Sequence, residues 1–181
     1  MVPPYHYLFF MFTALFGLDS IIIGQQVSVE IDLEGRRATI SYFQLRGQGS
    51  AMNEVEQDLK IIKNKSPTSG DLVGTSLETI RFIESDSGLN AIVNLKILNV
   101  EDFMADFWLR MEDTDSVMFM LLEQEVIRSS NGREFKEGEE TLIKWPSQGL
   151  IDLSLELSRT DQFRQYLESY YGEMAKLSSK P

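Results

Sequence analysis

The sequence predicts an α+β fold, a mainly antiparallel sheet built from hairpins with about three helices packed on one face. Short segments that alternate between apolar and polar residues are separated by turn residues, which is typical of hairpin-connected strands. Three other segments carry apolar residues three or four positions apart, the spacing of one helix face. Strands and helices do not alternate regularly, so a parallel βαβ arrangement is not expected.

The chain begins with a hydrophobic leader, residues 1–24. Residues 7–18 (YLFFMFTALFGL) are uncharged. This run is too short to span a bilayer as a helix, but it fits the apolar region of a signal peptide. We expect cleavage after Gly24 or, alternatively, after Ser20. Residues 25–181 would then form a single α+β domain in the periplasm, the cell envelope or the medium.

Two alternatives to a cleaved signal peptide stay open. No Lys or Arg precedes the apolar run, although a signal peptide normally begins with a basic segment. The first alternative is an uncleaved membrane anchor. The second is a first helix or strand packed on the domain. Large side chains such as Phe9, Phe12 and Phe16 would point all round a helix, which argues against a packed first helix with a polar side.

Two hairpins are predicted in the first half of the chain. Residues 27–33 alternate cleanly and residues 38–45 return after the turn at 34–36. Residues 79–84 and 91–98 form the second hairpin.

The second half of the chain contains the remaining strands. Residues 117–122 are apolar on both faces, which predicts a central strand that continues toward Arg128. Asn131 and Gly132 form a dipeptide typical of hairpin turns. Residues 141–145 and 150–157 are the last two strands.

The three predicted helices cover residues 50–63, 100–111 and 160–177. Ser50, Asn99 and Thr160 are suitable N-cap residues because their side-chain oxygens can accept from free backbone N–H groups. The GQGSA sequence at residues 47–51 precedes the first helix. It lacks the Lys of a phosphate-binding P-loop, so we interpret it as a tight strand-to-helix turn.

Composition excludes several kinds of chemistry. The net charge is −11, and phosphate backbones bind basic surfaces, so we expect no nucleic-acid partner. The chain has no cysteine and its one histidine is His6. Disulfides, thiolate sites and Cys nucleophiles are therefore excluded, and removal of the leader would also exclude imidazole chemistry.

Acidic residues are concentrated in the middle of the chain. They are Glu101, Asp102, Asp106, Glu112, Asp113 and Asp115. Calcium binds oxygen ligands of this kind, but the sequence after Asp113 lacks the glycine and the distant glutamate of an EF-hand loop. We interpret these acids as helix caps and solvated loop residues, and we expect no metal and no cofactor.

An aromatic and methionine-rich surface is the candidate binding site. Its residues are Phe103, Met104, Phe107, Trp108, Met111, Tyr166 and Tyr170. The first five form two apolar stripes on one short helix, more than one core-facing side requires, and methionine beside aromatic residues suits an apolar ligand or a partner surface. The alternative is a helix enclosed in the hydrophobic core.

The sequence therefore predicts an exported, non-catalytic domain that binds an apolar small molecule or a protein partner. A small hydrolase that uses two carboxylates across a cleft is the first alternative. A membrane-anchored scaffold subunit is the second, and it requires that the leader is retained, which is also the one case in which we expect membrane association.

Overall fold

The computed structural model describes most of the middle of the chain. The described residues are 21–48, 74–86, 88–107 and 109–158. Of these, 73% lie in β-strands and only one short helix is present, α1 (Val100–Asp106). The predicted α+β fold with about three helices is therefore wrong, whereas the mainly antiparallel sheet is confirmed.

The other two predicted helices, at residues 50–63 and 160–177, lie outside the described residues. Within the described part of the chain, no helix is long and apolar enough to cross a membrane.

Ten strands are present in the described residues. In chain order they are β1 (Ile21–Asp32), β2 (Arg37–Gln48), β3 (Thr75–Ser85), β4 (Gly88–Ile97), β5 (Leu109–Asp113), β6 (Ser116–Met120), β7 (Glu125–Ser130), β8 (Arg133–Glu137), β9 (Glu140–Pro146) and β10 (Leu150–Leu157).

The strands form two antiparallel sheets. The six-stranded sheet has the order β3-β4-β2-β1-β10-β7, and the four-stranded sheet has the order β5-β6-β9-β8. Both predicted hairpins of the first half, β1–β2 and β3–β4, lie in the six-stranded sheet. The turn of the first hairpin is stabilised by Asp32, whose Oδ1 accepts from the N–H of Gly35 at 2.7 Å.

Helix α1 begins where the sequence predicts but ends early. The side chain of Asn99 accepts from the N–H groups of Glu101 and Asp102, so it caps the helix as expected. The helix ends at Asp106, and residues 109–113 form β5 rather than a further helical turn. Leu109 pairs with Phe119, because packing of β5 against β6 outweighs the helical spacing of the apolar residues.

The Asn131-Gly132 dipeptide joins the two sheets and is not a hairpin turn. Strand β7 pairs with β10, whereas β8 pairs with β9 in the other sheet. The predicted hairpin at this point is therefore wrong. Strands β9 and β10, which follow one another in the sequence, also lie in different sheets.

The hydrophobic core lies between the two sheets. Apolar residues of β1 and β10 such as Val29 and Leu153 face Phe107, Leu109 and Phe119 across a void of only about 10 Å³. This void holds at most one water-sized sphere, so the interior is well packed. The core therefore lies against one face of each sheet. The other face of the four-stranded sheet points away from it.

Candidate functional site

The outer face of the four-stranded sheet, opposite the core, is apolar at its centre. Successive side chains of a strand point to opposite faces. Val117 and Phe119 of β6 belong to the core, so Met118 and Met120 point outward. Leu142 of β9 lies directly opposite Met120 in the ladder. Met118 and Leu142 are only 4% exposed, although neither belongs to the core cluster.

A groove with a volume of about 290 Å³ opens on this face. We call it the outer groove. It is lined by Ala105 and by Leu109 of the core cluster, by three outward apolar residues that we call its floor, and by three charged residues that we call its rim. The floor is Met118, Met120 and Leu142, and the rim is Arg110, Glu137 and Glu140. Hairpins β5–β6 and β8–β9 carry these residues, so long-range strand pairing assembles the site from segments distant in sequence.

The rim of the outer groove carries charges of both signs. Glu137 and Glu140 are paired across the β8–β9 ladder. Arg110 lies opposite Met118 in the β5–β6 ladder. All three charged side chains are exposed. The groove therefore combines an apolar floor with two carboxylates and one guanidinium at its edge, as expected of a small-molecule site with a few polar groups.

An ion pair lies beside the groove on the same sheet. Lys144 of β9 forms a salt bridge with Glu112 of β5. The hydrogen bond to Glu112 and the nearby negative charges raise the pKa of Lys144 above its usual value. Lys144 therefore stays protonated near neutral pH and cannot serve as a general base.

Ser116 lies next to this ion pair. Its hydroxyl donates to Asp113 Oδ1 at 2.8 Å, and the N–H of Asp115 donates to the same oxygen at 2.8 Å. The hydrogen bond from Ser116 is the main cause that lowers the pKa of Asp113. A carboxylate of lowered basicity does not activate a serine, so we interpret this contact as a turn-stabilising hydrogen bond.

The acidic residues predicted to be solvated form no metal centre within the described residues. In that part of the chain, no group of three or more Asp, Glu or His side chains is placed to hold a metal ion.

Three of the sequence-predicted site residues lie in the core. Phe103, Met104 and Phe107 are at most 5% exposed. The rings of Phe103 and Phe107 stack with their centroids 4.3 Å apart. These three side chains therefore stabilise the packing of α1 and present no open surface.

The other predicted site residues are Met111, Trp108, Tyr166 and Tyr170, of which the structure describes Met111. Met111 is 44% exposed on β5. Trp108, Tyr166 and Tyr170 lie outside the described residues. The predicted aromatic surface as a whole stays a prediction.

The outer groove was not predicted as a site, but the sequence contains a signal for it. Residues 117–122 are apolar on both faces, as noted from the sequence alone. One face of β6 fills the core, so the other face must be apolar without belonging to that core. The contribution of Leu142 has no local signal, because it depends on the pairing of β6 with β9.

The outer face of the six-stranded sheet differs in that it carries a polar network. Thr39 Oγ1 donates to Asn94 Oδ1 at 2.9 Å, and Asn94 Nδ2 donates to Thr79 Oγ1 at 2.7 Å. Arg128 and Glu156 form a salt bridge farther along the same sheet. These groups satisfy one another, so this face offers fewer free contacts to a ligand than the outer groove.

Comparison of the chain with protein-family models, with curated proteins and with solved structures finds no match in any of the three.

Proposed function

We propose that this chain is a non-catalytic binding domain whose outer groove holds a small apolar molecule. The observation that carries the proposal is the outward position of Met118, Met120 and Leu142, which line a groove of about 290 Å³ outside the core. Ligand pockets commonly have volumes of roughly 300–1,000 Å³, so the outer groove suits a ligand at the small end of that range.

The floor of the groove is chemically suited to apolar ligands. Methionine side chains are unbranched and polarizable, so Met118 and Met120 can adapt their shape to a bound molecule. Removal of each ligand CH₂ group from water contributes about 0.8 kcal/mol. A molecule with a chain of several carbons therefore gains enough binding free energy for measurable affinity.

We also propose that the protein is exported. The support for this proposal is the uncharged run at residues 7–18. Ile22 and Ile23 bear on the cleavage position, since they are almost completely buried and belong to the core cluster. Cleavage after Gly24 would remove both side chains, whereas cleavage after Ser20 keeps them, so we favour the position after Ser20.

Replacement of Met120 by Glu tests the proposed site. Met120 is half-buried at the groove, and a carboxylate there would have to lose water when an apolar ligand binds. We expect Met120→Glu to weaken the binding of the neutral fluorophore N-phenyl-1-naphthylamine at least tenfold, measured by fluorescence titration.

Val126→Glu is the matched control for this titration. Val126 is exposed on β7 in the other sheet, so a glutamate introduced there should leave the affinity unaltered. Far-ultraviolet circular dichroism establishes that both variants are folded. Equal affinity of the two variants, or no binding by the unaltered chain, would contradict the proposed function.

A further inference from the structure

We infer that β8 pairs with the β8 of a second copy of this chain, across a two-fold axis that passes through Phe135. The two four-stranded sheets then form one continuous antiparallel sheet. This dimer goes beyond the proposed function and does not require a ligand in the outer groove. An unpaired edge strand and a charge pattern that is complementary to itself support it.

Strand β8 lies at the edge of the four-stranded sheet. Within the described part of the chain it pairs only with β9, so the backbone N–H and C=O groups on its other side have no partner strand. An edge of this kind can accept a further strand through ordinary ladder hydrogen bonds. The partner of β8 is therefore an extended segment.

The charges of β8 are not neutralised by its own chain. Arg133 lies opposite Lys144 in the β8–β9 ladder, and Glu137 lies opposite Glu140. Like charges at directly opposed positions destabilise an antiparallel pair. Neither ion pair of the described residues includes a residue of β8. Opposite charges on the free side of β8 would compensate both unfavourable pairs.

The sequence of β8, REFKE, supplies those opposite charges when it meets an identical antiparallel strand. Pairing centred on Phe135 sets Arg133 opposite Glu137 of the second copy. On the other face of the strand it sets Glu134 opposite Lys136, and two-fold symmetry repeats each pair. Charged residues on an edge strand normally oppose pairing with another chain, but these charges attract an identical strand.

An apolar row on the outer face of the sheet ends at this same edge. Phe135 lies opposite Leu142 in the β8–β9 ladder, and Leu142 lies opposite Met120. Phe135 is half-buried, whereas the other residues of β8 are exposed. In the dimer the two Phe135 side chains are directly opposed, and aromatic pairs at such positions stabilise a ladder. The apolar rows of the two copies become continuous.

A self-complementary edge favours a second copy over an unrelated strand. A two-fold dimer brings the same surface of both chains together, so the surface must be complementary to itself. The net charge of −11 opposes association at long range, but at about 0.15 M salt the Debye length is about 8 Å and this repulsion is screened. Because β8 has only five residues, we expect a weak and reversible dimer.

Complementary charge reversals test the pairing. Arg133→Glu sets two glutamates opposite each other across the axis, and Glu137→Arg sets two arginines opposite each other. Each variant alone should associate at least about tenfold more weakly than the unaltered chain. Sedimentation velocity of the full chain over a series of protein concentrations measures the association.

Both variants should fold. Arg133→Glu replaces a like-charge pair with Lys144 by an opposite-charge pair, and Glu137→Arg does the same with Glu140. Far-ultraviolet circular dichroism checks the fold. A loss of association therefore reports on the contact between chains.

An equimolar mixture of the two variants should restore association. In the mixed dimer the glutamates of the Arg133→Glu chain lie opposite the arginines of the Glu137→Arg chain. We expect this dimer to form about as tightly as the unaltered one, because the same number of opposite charges is paired. Native mass spectrometry identifies it, since the two chains differ in mass. Misfolding of either variant cannot produce this recovery.

Glu78→Arg and Arg81→Glu are the matched control pair. Both residues are exposed on β3 of the six-stranded sheet, and the two substitutions change the net charge by the same amounts as the β8 reversals. Each control variant should associate within about twofold of the unaltered chain, because distant exposed charges are screened. Mixing the two should change nothing.

Several results would overturn the inferred dimer. One is an unaltered chain that stays monomeric at every concentration. Another is association that persists in both β8 variants, since the contact would then lie elsewhere in the chain. A mixture of the β8 variants that stays monomeric, or equal weakening by the β3 variants, would also overturn it. None of these results decides whether the outer groove binds an apolar molecule.

Discussion

Asn131 holds the corner between the two sheets through its side-chain amide. Its Oδ1 accepts from Trp145 Nε1 at 2.7 Å and from the N–H of Asp152 at 2.9 Å. Its Nδ2 donates to the carbonyl of Leu150 at 2.7 Å. The next residue, Gly132, lies against the indole of Trp145. The two residues therefore connect β9 of one sheet with β10 of the other.

Gly132 is the residue at which a single methyl group should be most harmful. A Cβ at this position would lie 2.5 Å from two atoms of the buried Trp145 indole and 2.6 Å from the Cγ2 of Ile143. Neither side chain can move freely, because both are packed in the core. We expect Gly132→Ala to lower the free energy of unfolding by about 1–3 kcal/mol or more, measured by urea denaturation.

A second substitution separates this steric cost from other effects. In the Gly132→Ala background, Trp145→Phe removes the clashing part of the indole and should cost less than it does in the unaltered chain. Purely additive costs would contradict a direct clash between the two residues.

The role of Asn131 and Gly132 could be predicted only in part from the sequence. The chain bends at this dipeptide, but neither residue has the positive φ of the hairpin turn that the dipeptide predicts. The sequence does not show that the Asn131 amide bonds to Trp145 and Leu150, which are 14 and 19 residues away. Those tertiary bonds make the turn a corner between sheets rather than a hairpin.

Strand β1 begins before the alternating segment from which it was predicted. Residues Ile21–Gly24 pair with residues 45–48 of β2, beyond the first pair of β1 with β10. Ile22 and Ile23 are adjacent and both buried, so this part of the strand does not alternate between a buried and an exposed face. Alternation therefore predicts the centre of the strand but not its beginning.

Removal of these residues should destabilise the domain. A chain that begins at Gln25 loses both buried isoleucines, and truncation of one buried Ile to Ala typically costs about 2–5 kcal/mol. We expect its free energy of unfolding to be at least about 4 kcal/mol lower than that of a chain that begins at Ile21, measured by urea denaturation. Equal stability of the two chains would remove our reason to favour cleavage after Ser20.

The β5–β6 turn should make stability depend on acidic pH. Hydrogen bonds from Ser116 and from the N–H of Asp115 lower the pKa of Asp113 below 3.8. The folded state therefore binds this proton less readily than the unfolded state. Its contribution to stability is present above a pH of about 4 and is lost as the pH falls through the lowered value.

Asp113→Asn tests this contribution. Urea denaturation between neutral pH and pH 3 should show a smaller loss of stability on acidification in Asp113→Asn than in the unaltered chain. Asp115→Asn changes the same charge in the same turn and should retain most of the unaltered pH dependence. Identical acid profiles for Asp113→Asn and the unaltered chain would contradict the proposed role of the Ser116 hydrogen bond.

Helix α1 and strand β5 show why local spacing fails at element boundaries. Apolar residues from Phe103 to Met111 keep helical spacing, yet the helix ends at Asp106. Leu109 becomes the first residue of β5 and pairs with β6. The helical spacing favours a longer helix, whereas pairing with β6 favours a strand. The free energy gained by completing the four-stranded sheet is the larger contribution.

For the whole molecule, the sequence predicts which residues form strands better than it predicts which strands pair with one another. Both hairpins of the first half are confirmed because their strands are neighbours in the chain and in space. The division into two sheets depends on β6 pairing with β9 and on β1 pairing with β10. These pairings join segments distant in sequence, so no local pattern encodes them.

The outer groove is a property of this long-range assembly. Its floor combines β6 with β9, and its rim adds residues of β5 and β8. The predicted aromatic surface drew instead on the helix predicted at residues 100–111, together with Tyr166 and Tyr170 of the last predicted helix. The same apolar residues of α1 were needed to fill the core, which is why Phe103 and Phe107 do not line an open site.

Methionine methyl NMR of the full chain with N-phenyl-1-naphthylamine tests the central proposal most directly. If the outer groove binds apolar molecules, the methyl signals of Met118 and Met120 will shift in a saturable manner, and the signal of Met104, which packs in the core and does not line the groove, will stay in place. Shifts at Met104 or at exposed Met111 without shifts at Met118 and Met120 would place the ligand elsewhere and contradict the proposed site.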